Sequence, residues 1–238
     1  MEFSAKQVTV ADVLPWRERY RAEMNCQIVH DSLHPRAGWT EEYFIEAAGS
    51  FAGYGSIVVG GPWVGTRTVF EYYVLPEWRS HVFDLFECLL TASNATAILA
   101  QSNDALMTVM LYVWGRNISS ESIVFADKVT THLSLEGVTL KPPEGSQDEW
   151  TLVTDGTTAA YGGVLFHYNR PYGDIYMRVE EPYRQRGLGS FLVQELKKVC
   201  YEMDSVPCAR CNPGNIASRK TLQKAGLVPY AHLLTGAL

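Results

Sequence analysis

The sequence predicts a mixed α/β fold built from two similar halves, and three observations support this. Segments with the β-branched and aromatic composition of strands alternate with segments of helical spacing along the 238 residues. Residues 74–79 align with residues 179–184, and residues 100–103 align with residues 209–212 in the same order. In both halves the first of these aligned segments leads from a predicted strand into a predicted helix. A duplicated unit accounts for all three.

In the first half, the spacing of apolar residues predicts a helix over residues 11–29. The acidic pair Glu41-Glu42 directly after Thr40 predicts the capped start of a second helix. The other elements predicted for this half are strands at residues 56–59, 66–75, 95–101, 122–125 and 138–140, and helices at residues 82–93 and 104–114.

Residues 141–148 are rich in turn-forming and charged residues and are the best linker candidate. They separate a predicted domain at residues 1–140 from a second at residues 149–238. The elements predicted for the second domain are strands at residues 150–154, 159–166, 174–179, 207–211 and 227–234, and helices at residues 187–202 and 216–224.

Composition excludes several classes of protein. The chain has no apolar run of the roughly 18 residues that a membrane-spanning helix needs, and its N-terminus does not resemble a signal peptide. Five cysteines with irregular spacing indicate reduced thiols and a cytoplasmic location. The net charge is −6, with the acidic excess in residues 1–140, which argues against nucleic acid as a partner.

The strongest local signal is the run that follows a predicted strand and opens a helix, Arg184-Gln185-Arg186-Gly187-Leu188-Gly189-Ser190. A strand–turn–helix junction presents unpaired backbone N–H groups at the positive end of a helix dipole, which suits a phosphate. Gly187 and Gly189 leave room for phosphate oxygens because they have no Cβ. The pattern also fits a glycine-containing helix start that binds no ligand. A Rossmann loop fits less well, since Leu192 stands at its third glycine.

Two motifs at a fixed spacing resemble the GNAT family of acetyltransferases. Residues 179–190 resemble its phosphate-binding signature, Arg/Gln-x-x-Gly-x-Gly/Ala, with a Val-x-x-x-Tyr-Arg lead-in. Residues 215–227 resemble its second motif, Asn-x-Ala-Ser-x-x-x-Leu-x-Lys-x-Gly-Phe, with Leu227 in place of the phenylalanine. The resemblance implies an acetyl-CoA-binding GNAT domain at residues 149–238 and a degenerate GNAT-like domain at residues 1–140.

The resemblance also assigns a coenzyme A site. The residues whose backbone would hold the pyrophosphate are Arg184, Gln185, Arg186, Gly187, Leu188, Gly189 and Ser190. Val179 would pair with the amides of the pantetheine arm as an added strand, and Asn215 and Ser218 would lie beside the arm. Asn215 also suits a plain helix N-cap, and both roles are compatible. Acetyl-CoA is the expected cosubstrate, and no metal is expected.

The first half departs from the motif, since it has Val82-Phe83-Asp84 opposite the two glycines. Two side chains would fill the loop, and the Asp84 carboxylate would lie where the pyrophosphate should sit. Like charges ~4–6 Å apart cost several kcal/mol at an effective dielectric near ~20. The first half is therefore predicted to bind no coenzyme A.

The catalytic groups are less clearly marked. Amine acetylation needs a proton acceptor and sometimes a donor for the leaving thiolate. Leu222 stands where many family members have a tyrosine donor, so Tyr230 is the substitute, whereas Tyr183 is expected to pack as structure. Asp174 is the candidate base, at the start of the strand that carries the pantetheine arm, although a turn residue within 169–174 is the commoner role for such an aspartate.

Two further clusters are predicted to carry no metal. Cys208 and Cys211 have a zinc-like spacing, but no second pair follows, and strand positions three apart point to opposite faces. Buried thiols are therefore expected. His30 and His34 are expected to lie at a solvated helix end, with a loop at the acceptor cleft as the alternative.

The predicted function is transfer of an acetyl group from acetyl-CoA to an amine of a small-molecule or peptidic acceptor, by direct attack. The alternative is a non-catalytic sensor that binds acyl-CoA without turnover. No nucleic acid or membrane partner is expected, and a homodimer is allowed. Because a complete GNAT fold has more elements than residues 149–238 supply, residues 119–140 or their neighbours are expected to complete the second sheet.

Overall fold

The structure is a computed structural model, and it describes residues 1–144 and 149–238. The chain divides into two compact units. The first unit consists of Met1–Glu121 together with His232–Leu238, and the second consists of Ser122–Ala231.

These bounds differ from the predicted domains, 1–140 and 149–238. The reason is that residues 122–141 form strands of the second unit, and the end of the chain pairs with a strand of the first. Of the predicted linker, residues 145–148 lie outside the described residues.

The first unit alternates strands and helices, in the order β1 (Phe3–Val8), α1 (Val10–Met24), β2 (Thr40–Ala47), β3 (Ser50–Val58), β4 (Thr68–Val74), α2 (Val82–Ser93), β5 (Ala97–Gln101) and α3 (Ala105–Trp114). Strands β1 to β5 lie side by side in chain order. Only β4 and β5 among them run parallel. Every residue of β4 is buried, so this strand lies at the centre of the unit.

The predicted helix at Thr40 is wrong, because residues 40–47 form strand β2. This segment pairs with β1 on one side and β3 on the other. Tyr43, Ile45 and Ala47 are buried at every second position, the period of a strand, so they reach one core together. Acidic residues favour a helix start only weakly, and the pairing with two neighbours overrides them.

The core of the first unit lies between its sheet and helix α2. Leu85, Phe86 and Leu89 of α2 pack with Tyr72 of β4 and Ile98 of β5, and all five side chains are almost fully buried. Burial of such side chains contributes roughly 1.5–3 kcal/mol each.

The second unit follows in the order β6 (Arg116–Asp127), β7 (Val138–Lys141), β8 (Trp150–Thr154), β9 (Thr157–Leu165), β10 (Tyr172–Val179), α4 (Leu188–Glu202), β11 (Val206–Cys211), α5 (Ile216–Lys224) and β12 (Leu227–Ala237). Its strands lie in the order β6, β11, β10, β9, β8, β7. Strand β10 runs parallel to β11 and antiparallel to β9.

Residues 119–140 complete the second sheet, as the sequence predicted. Residues 123–126 of β6 pair with residues 208–211 of β11, and residues 138–141 of β7 pair with β8. Phe125 of β6 is fully buried in the core of this unit, together with Leu192 and Leu196 of α4.

Two strands begin in one unit and end in the other. Strand β6 crosses the boundary between Glu121 and Ser122, and β12 crosses it between Ala231 and His232. The end of β12 pairs with β5 of the first unit, Leu233 opposite Gln101. Within the described residues, no helix is long and apolar enough to cross a membrane.

Candidate functional site

The sheet of the second unit opens between β10 and β11. The two parallel strands pair at three positions, the last of which joins Asp174 to Cys208. Strand β10 continues to Val179, and its other edge stays paired with β9 as far as Ala160. Among the described residues, the edge of β10 beyond Asp174 thus has no strand opposite it, and such an edge can accept an added extended chain.

Between β10 and α4 the chain makes a tight turn. A 3₁₀ turn over Glu181–Tyr183 follows β10, and Gln185 and Gly187 have φ values of 64° and 84°. Residues with a Cβ adopt such φ values rarely, which explains the glycine at position 187.

The first turn of α4 presents backbone N–H groups without a side-chain cap. Gly187 is the N-cap residue, and the first helical hydrogen bond runs from Phe191 N to Gly187 O over 3.1 Å. The N–H groups of Leu188, Gly189 and Ser190 precede this bond. They lie at the positive end of the helix dipole, where an anion is favoured.

Gly189 lets α4 approach β10 and α5 closely. A Cβ on Gly189 would lie 3.1 Å from Thr221 Cγ2 and 3.3 Å from Val179 Cγ2, tighter than ordinary contact. The absence of a side chain here lets the first turn of α4 pack directly against the strand and the neighbouring helix.

The start of α5 forms the opposite wall. Asn215 Oδ1 accepts a hydrogen bond from Ser218 N over 3.0 Å, so Asn215 is the N-cap of α5. Burial raises the pKa of the neighbouring Cys211 thiol, and the Ser218 side chain opposes that rise. Asn215 and Ser218 both line the cleft.

These elements enclose a cleft of about 880 Å³. The predicted site residues that line it are Val179, Arg184, Gln185, Gly187, Leu188, Gly189, Ser190, Asn215 and Ser218. Arg186 lines a neighbouring cavity of about 320 Å³ with Leu135 and Lys224. The structure therefore places the predicted coenzyme A residues around the Val179 end of β10.

The rim of the cleft is positively charged. Arg184 Nε donates to Val179 O over 3.3 Å, and the Arg186 guanidinium lies 5.5 Å from the centroid of the Tyr183 ring. Among the described residues, no carboxylate pairs with either arginine, so their charge remains available to an anionic ligand.

Asp174 is a buried strand residue and not the turn residue considered from sequence. Its Oδ2 lies 3.0 Å from His167 Nε2 and 3.4 Å from Arg210 Nε. Arg210 Nη2 lies 3.2 Å from the same His167 nitrogen. Tyr168 packs edge-on against His167, and burial, reinforced by Asp174, raises the pKa of Tyr168.

The sequence did not indicate His167 and Arg210. Strand alternation could have indicated Arg210, because it shares a face of β11 with Cys208, which pairs with Asp174. No comparable signal marks His167, since it lies in the loop between β9 and β10 and reaches Asp174 only through the fold.

The proposed proton donors lie apart from this cluster. Tyr230 is on β12, is 44% exposed and is not among the residues that line the cleft. Leu222, at the position of the family tyrosine, is buried in the core of the second unit. Tyr183 is half-buried and packs against that core while lining the cleft.

The cysteines are buried or half-buried free thiols, as expected. Burial raises the pKa of Cys208 and of Cys200, the latter to about 12, which leaves both as unreactive neutral thiols at physiological pH. Within the described part of the chain, no group of three metal-binding side chains comes together.

Residues 125–227 match the acetyltransferase (GNAT) family. The match contains the cleft, the turn between β10 and α4, and the second motif. This chain carries a GNAT domain. No curated protein matches the sequence closely enough to count as a relative.

Solved structures extend the likeness over the whole chain. A GNAT-family acetyltransferase from Colwellia psychrerythraea has a TM-score of 0.76 at 13% identity and covers 99% of each chain. A GCN5-related N-acetyltransferase from Sphaerobacter thermophilus has a TM-score of 0.65 at 14% identity, covering 99% of this chain and 95% of its own. A tandem GNAT protein from the clavulanic acid biosynthesis pathway has a TM-score of 0.63 at 12% identity, covering 100% and 98%. At these low sequence identities, the comparison shows that this chain and the three structures share a fold.

The first unit repeats the local GNAT geometry without the open loop. Leu75 N donates to Ala52 O over 2.9 Å, and at the aligned position Glu180 N donates to Ala159 O over 2.9 Å. The counterpart of Met177 is Tyr72, whose hydroxyl donates to a carbonyl in the first turn of α2 over 2.7 Å. The first-unit cleft measures about 460 Å³, roughly half the other.

The expected solvated helix end at His34 is wrong, because His34 is buried between two carboxylates. Its Nδ1 lies 3.0 Å from Glu42 Oε1 and its Nε2 lies 3.3 Å from Glu71 Oε2. Glu71 also accepts from Arg17 Nε over 2.9 Å and from the Tyr54 hydroxyl over 2.5 Å. This network ties β2, β3 and β4 to α1 within the first unit.

Proposed function

We propose that this protein transfers an acetyl group from acetyl-CoA to the amine of a small-molecule or peptidic acceptor, using the cleft of the second unit. The GNAT fold is suited to acetyl transfer in general. The observation that carries the specific proposal is the cleft itself: an unpaired strand edge leads directly to an uncapped helix N-terminus.

The residues of the cleft fit coenzyme A in two ways. The N–H groups of the first turn of α4 would bind the pyrophosphate, with Arg184 and Arg186 adding charge at the rim. The free edge of β10 up to Val179 would pair with the amides of the pantetheine arm. Gly189 supports this fit because its lack of a Cβ lets the first turn of α4 lie close to Val179 of β10 and to Thr221 of α5. When bound, acetyl-CoA supplies an activated acyl carbon.

The direction from which an acceptor would approach is inferred from the two faces of β10. Side chains alternate along the strand, so Asp174, Tyr176 and Arg178 lie on the face away from α4. The face toward α4 is filled by the core through Ile175. An acceptor would therefore approach the open strand edge from the polar face.

Calorimetric titration with coenzyme A tests the site. We expect one molecule bound per chain, because only the second unit has the glycine turn. Two molecules per chain, or none, would contradict the assignment.

Thiol release from acetyl-CoA, measured with a panel of polyamines, aminoglycosides and amino acids, separates the enzyme from the sensor. An enzyme releases thiol with at least one amine. The absence of Tyr at position 222 is the observation that favours the sensor. One-to-one binding of coenzyme A without turnover across the panel would support the sensor and contradict the transferase.

A further inference from the structure

A second cavity adjoins the turn between β10 and α4. It measures about 320 Å³, and Gln185 and Gly187 line both this cavity and the larger cleft. The remaining residues that line it are Leu133, Ser134, Leu135, Arg186, Phe191 and Lys224. The two cavities therefore meet at the turn, and a ligand that binds the first N–H groups of α4 can extend from one into the other.

One wall of the second cavity is an irregular segment that runs along α4. Residues 128–137, between β6 and β7, form neither helix nor strand. Lys197 Nζ donates to Val129 O over 2.8 Å, and Leu133 N donates to Gln194 Oε1 over 2.6 Å. The Gln194 amide returns a hydrogen bond to Leu133 O over 3.0 Å. The segment therefore follows α4 backwards, toward the N-terminus of the helix.

Buried polar side chains hold this wall in place. Gln194 and Lys197 are 5% and 3% exposed, and burial of a polar group is unfavourable unless it is hydrogen-bonded. Lys197 Nζ also donates to Ala225 O, just after α5, over 3.0 Å, and Val129 N donates to Gly226 O over 3.1 Å. The segment, α4 and the end of α5 are thus bonded to one another, so the wall of the cavity is formed before any ligand binds.

Both charged residues that line the second cavity are cations. Lys224 lies in the last turn of α5, and its Nζ lies 3.8 Å from the position of a Cβ on Gly187. The Arg186 guanidinium lies 5.5 Å from the centroid of the Tyr183 ring. Among the described residues, no carboxylate forms an ion pair with either cation. The cavity therefore has a positive charge without a counter-charge beside the turn, where a phosphate is favoured.

The other side of the second cavity is apolar. Leu133, Leu135 and Phe191 are half-buried, and the last two also pack against the core of the second unit. Such side chains offer a contact surface to the face of a planar base. Apolar side chains and two cations next to an uncapped helix N-terminus together fit a phosphorylated nucleoside.

We propose that the second cavity binds the 3′-phosphorylated adenosine of coenzyme A and that Lys224 selects the 3′-phosphate, an assignment that rests on the proposed function. The pyrophosphate of coenzyme A joins the pantetheine arm to this adenosine. An arm along β10 and a pyrophosphate at the first turn of α4 leave the adenosine beside the turn, where the second cavity begins. The protein then favours coenzyme A thioesters over thioesters of pantetheine or of a carrier protein, which have no nucleotide.

Calorimetry with 3′-dephospho-coenzyme A tests the assignment, because this compound lacks only the 3′-phosphate. We expect it to bind at least about tenfold more weakly than coenzyme A, since it loses the charge-assisted contacts with Lys224 and Arg186. Phosphopantetheine, which lacks the whole nucleotide, should bind more weakly still.

Lys224→Gln assigns the selection to one side chain. It should weaken the binding of coenzyme A about fivefold and that of 3′-dephospho-coenzyme A less than about twofold, because the phosphate that Lys224 contacts is absent from the second compound. Lys220→Gln is the matched control. Lys220 is an exposed cation of the same helix that lines the larger cleft, so its loss should change the affinity for both compounds by the same factor.

Gln194→Leu tests the wall, because it removes both hydrogen bonds to Leu133 and keeps a side chain of similar size in α4. Hydrogen exchange at residues 129–135 should become faster. Both compounds should bind more weakly by the same factor, since they share the adenosine. Faster exchange with unchanged affinities would overturn the role of this segment in the site.

The outcomes separate this proposal from the one on which it rests. Equal affinities for coenzyme A and its 3′-dephospho form would overturn the role of the second cavity and leave the larger cleft as the coenzyme A site. No calorimetric binding of coenzyme A would overturn both. Equal losses for the two compounds in Lys224→Gln would show that Lys224 acts on the pyrophosphate and would overturn its selection of the 3′-phosphate.

Discussion

The two units contain the same strand–turn–helix arrangement, but only one of them leaves its turn open. In the second unit Arg184 Nε donates to Val179 O over 3.3 Å, and in the first unit Arg79 Nε donates to Val74 O over 3.1 Å. Each arginine thus donates a hydrogen bond to the backbone carbonyl of the last residue in the preceding strand. The backbone of the junction is common to both units, and the difference lies in the side chains around it.

Those side chains are the reason why we expect no anion site in the first unit. The Tyr72 hydroxyl bonds the Val82 carbonyl over 2.7 Å, filling space that Met177 leaves open in the other unit. Asp84 places a carboxylate in the first turn of α2, where the opposite unit has Gly189. The comparison shows that the same strand–turn–helix junction can carry different side chains, so the shared fold does not by itself predict a shared binding site.

The largest effect is expected from cutting the chain after Ala231. This deletion removes the last strand from the first unit although it lies at the end of the second half of the sequence. Leu233 is 3% exposed, and loss of its side chain alone costs about 2–5 kcal/mol. Hydrogen exchange should therefore become much faster at the amides of β5, against which Leu233 pairs, than at those of α4.

Removal of Leu238 alone provides the control, since it leaves the pairing of Leu233 with β5 in place. Equal acceleration in α4 and β5 after the longer deletion would show that the two units do not divide at these positions.

The next largest effect is expected from Gly187→Asp. This substitution places a carboxylate in the turn before α4, as Asp84 does in the first turn of α2. A carboxylate about 5 Å from the pyrophosphate costs about 3 kcal/mol at an effective dielectric near 20, or roughly 200-fold in affinity. A Cβ on Gly187 would lie 3.8 Å from Lys224 Nζ and 3.9 Å from Leu135 Cδ2, which is ordinary van der Waals distance, and aspartate tolerates a positive φ better than most residues. Calorimetry with coenzyme A measures the loss.

Gly156→Asp is a matched control, because Gly156 has a φ of 75° and nothing within 4 Å of a Cβ but lies in the turn between β8 and β9. Its affinity for coenzyme A should not change. The reverse exchange, Asp84→Gly, should leave one binding site per chain because Tyr72 still fills the first-unit cleft. A second bound molecule in that variant would show that the charge alone closes the site.

A smaller effect is expected in the buried charge network of the first unit. Burial lowers the pKa of His34, but the charge of Glu71 and the hydrogen bond that the ring donates to Glu42 outweigh it, so the pKa lies above its ordinary value of 6.5. A raised histidine pKa stabilises the fold fully below about pH 6.5, and this stability is lost as the pH rises through the folded-state pKa. The slope within that window is about 1.4 kcal/mol per pH unit.

Urea unfolding at pH 6 and pH 9 measures this loss. His34→Gln should flatten the pH dependence, whereas His132→Gln, at an exposed position, should keep it. A slope that survives His34→Gln would assign the pH dependence to another group.

Much of the fold could be predicted from sequence because its elements are strongly patterned. Helices α2 and α5 match the predicted residues 82–93 and 216–224, since their apolar residues recur with helical spacing. The cleft residues were found because a motif places them within one turn and one helix start. Local sequence was sufficient wherever local structure positions the residue.

Sequence failed where a residue acquires its role from a distant partner. His34 was expected to be solvated, yet Glu42 and Glu71 come from two other strands. His167 and Arg210 meet Asp174 only because the loop before β10 and the strand β11 converge on it. Such contacts depend on strand register, which no spacing within one segment of sequence discloses.

The smallest effect is expected from replacing Arg184 of the second unit or Arg79 of the first. Arg184 has no carboxylate partner in the described residues, whereas Arg79 is paired with Glu23 over 2.6 Å. Arg184→Ala should therefore weaken coenzyme A binding less than about tenfold, because an exposed charge is screened, and the weakening should shrink further as salt is raised from 50 to about 500 mM. Arg79→Ala removes the equivalent backbone hydrogen bond from the first unit, which we expect to bind no pyrophosphate, so it should leave the affinity unchanged. Equal losses in the two variants would mean that the arginines act through the strand end and not through the ligand.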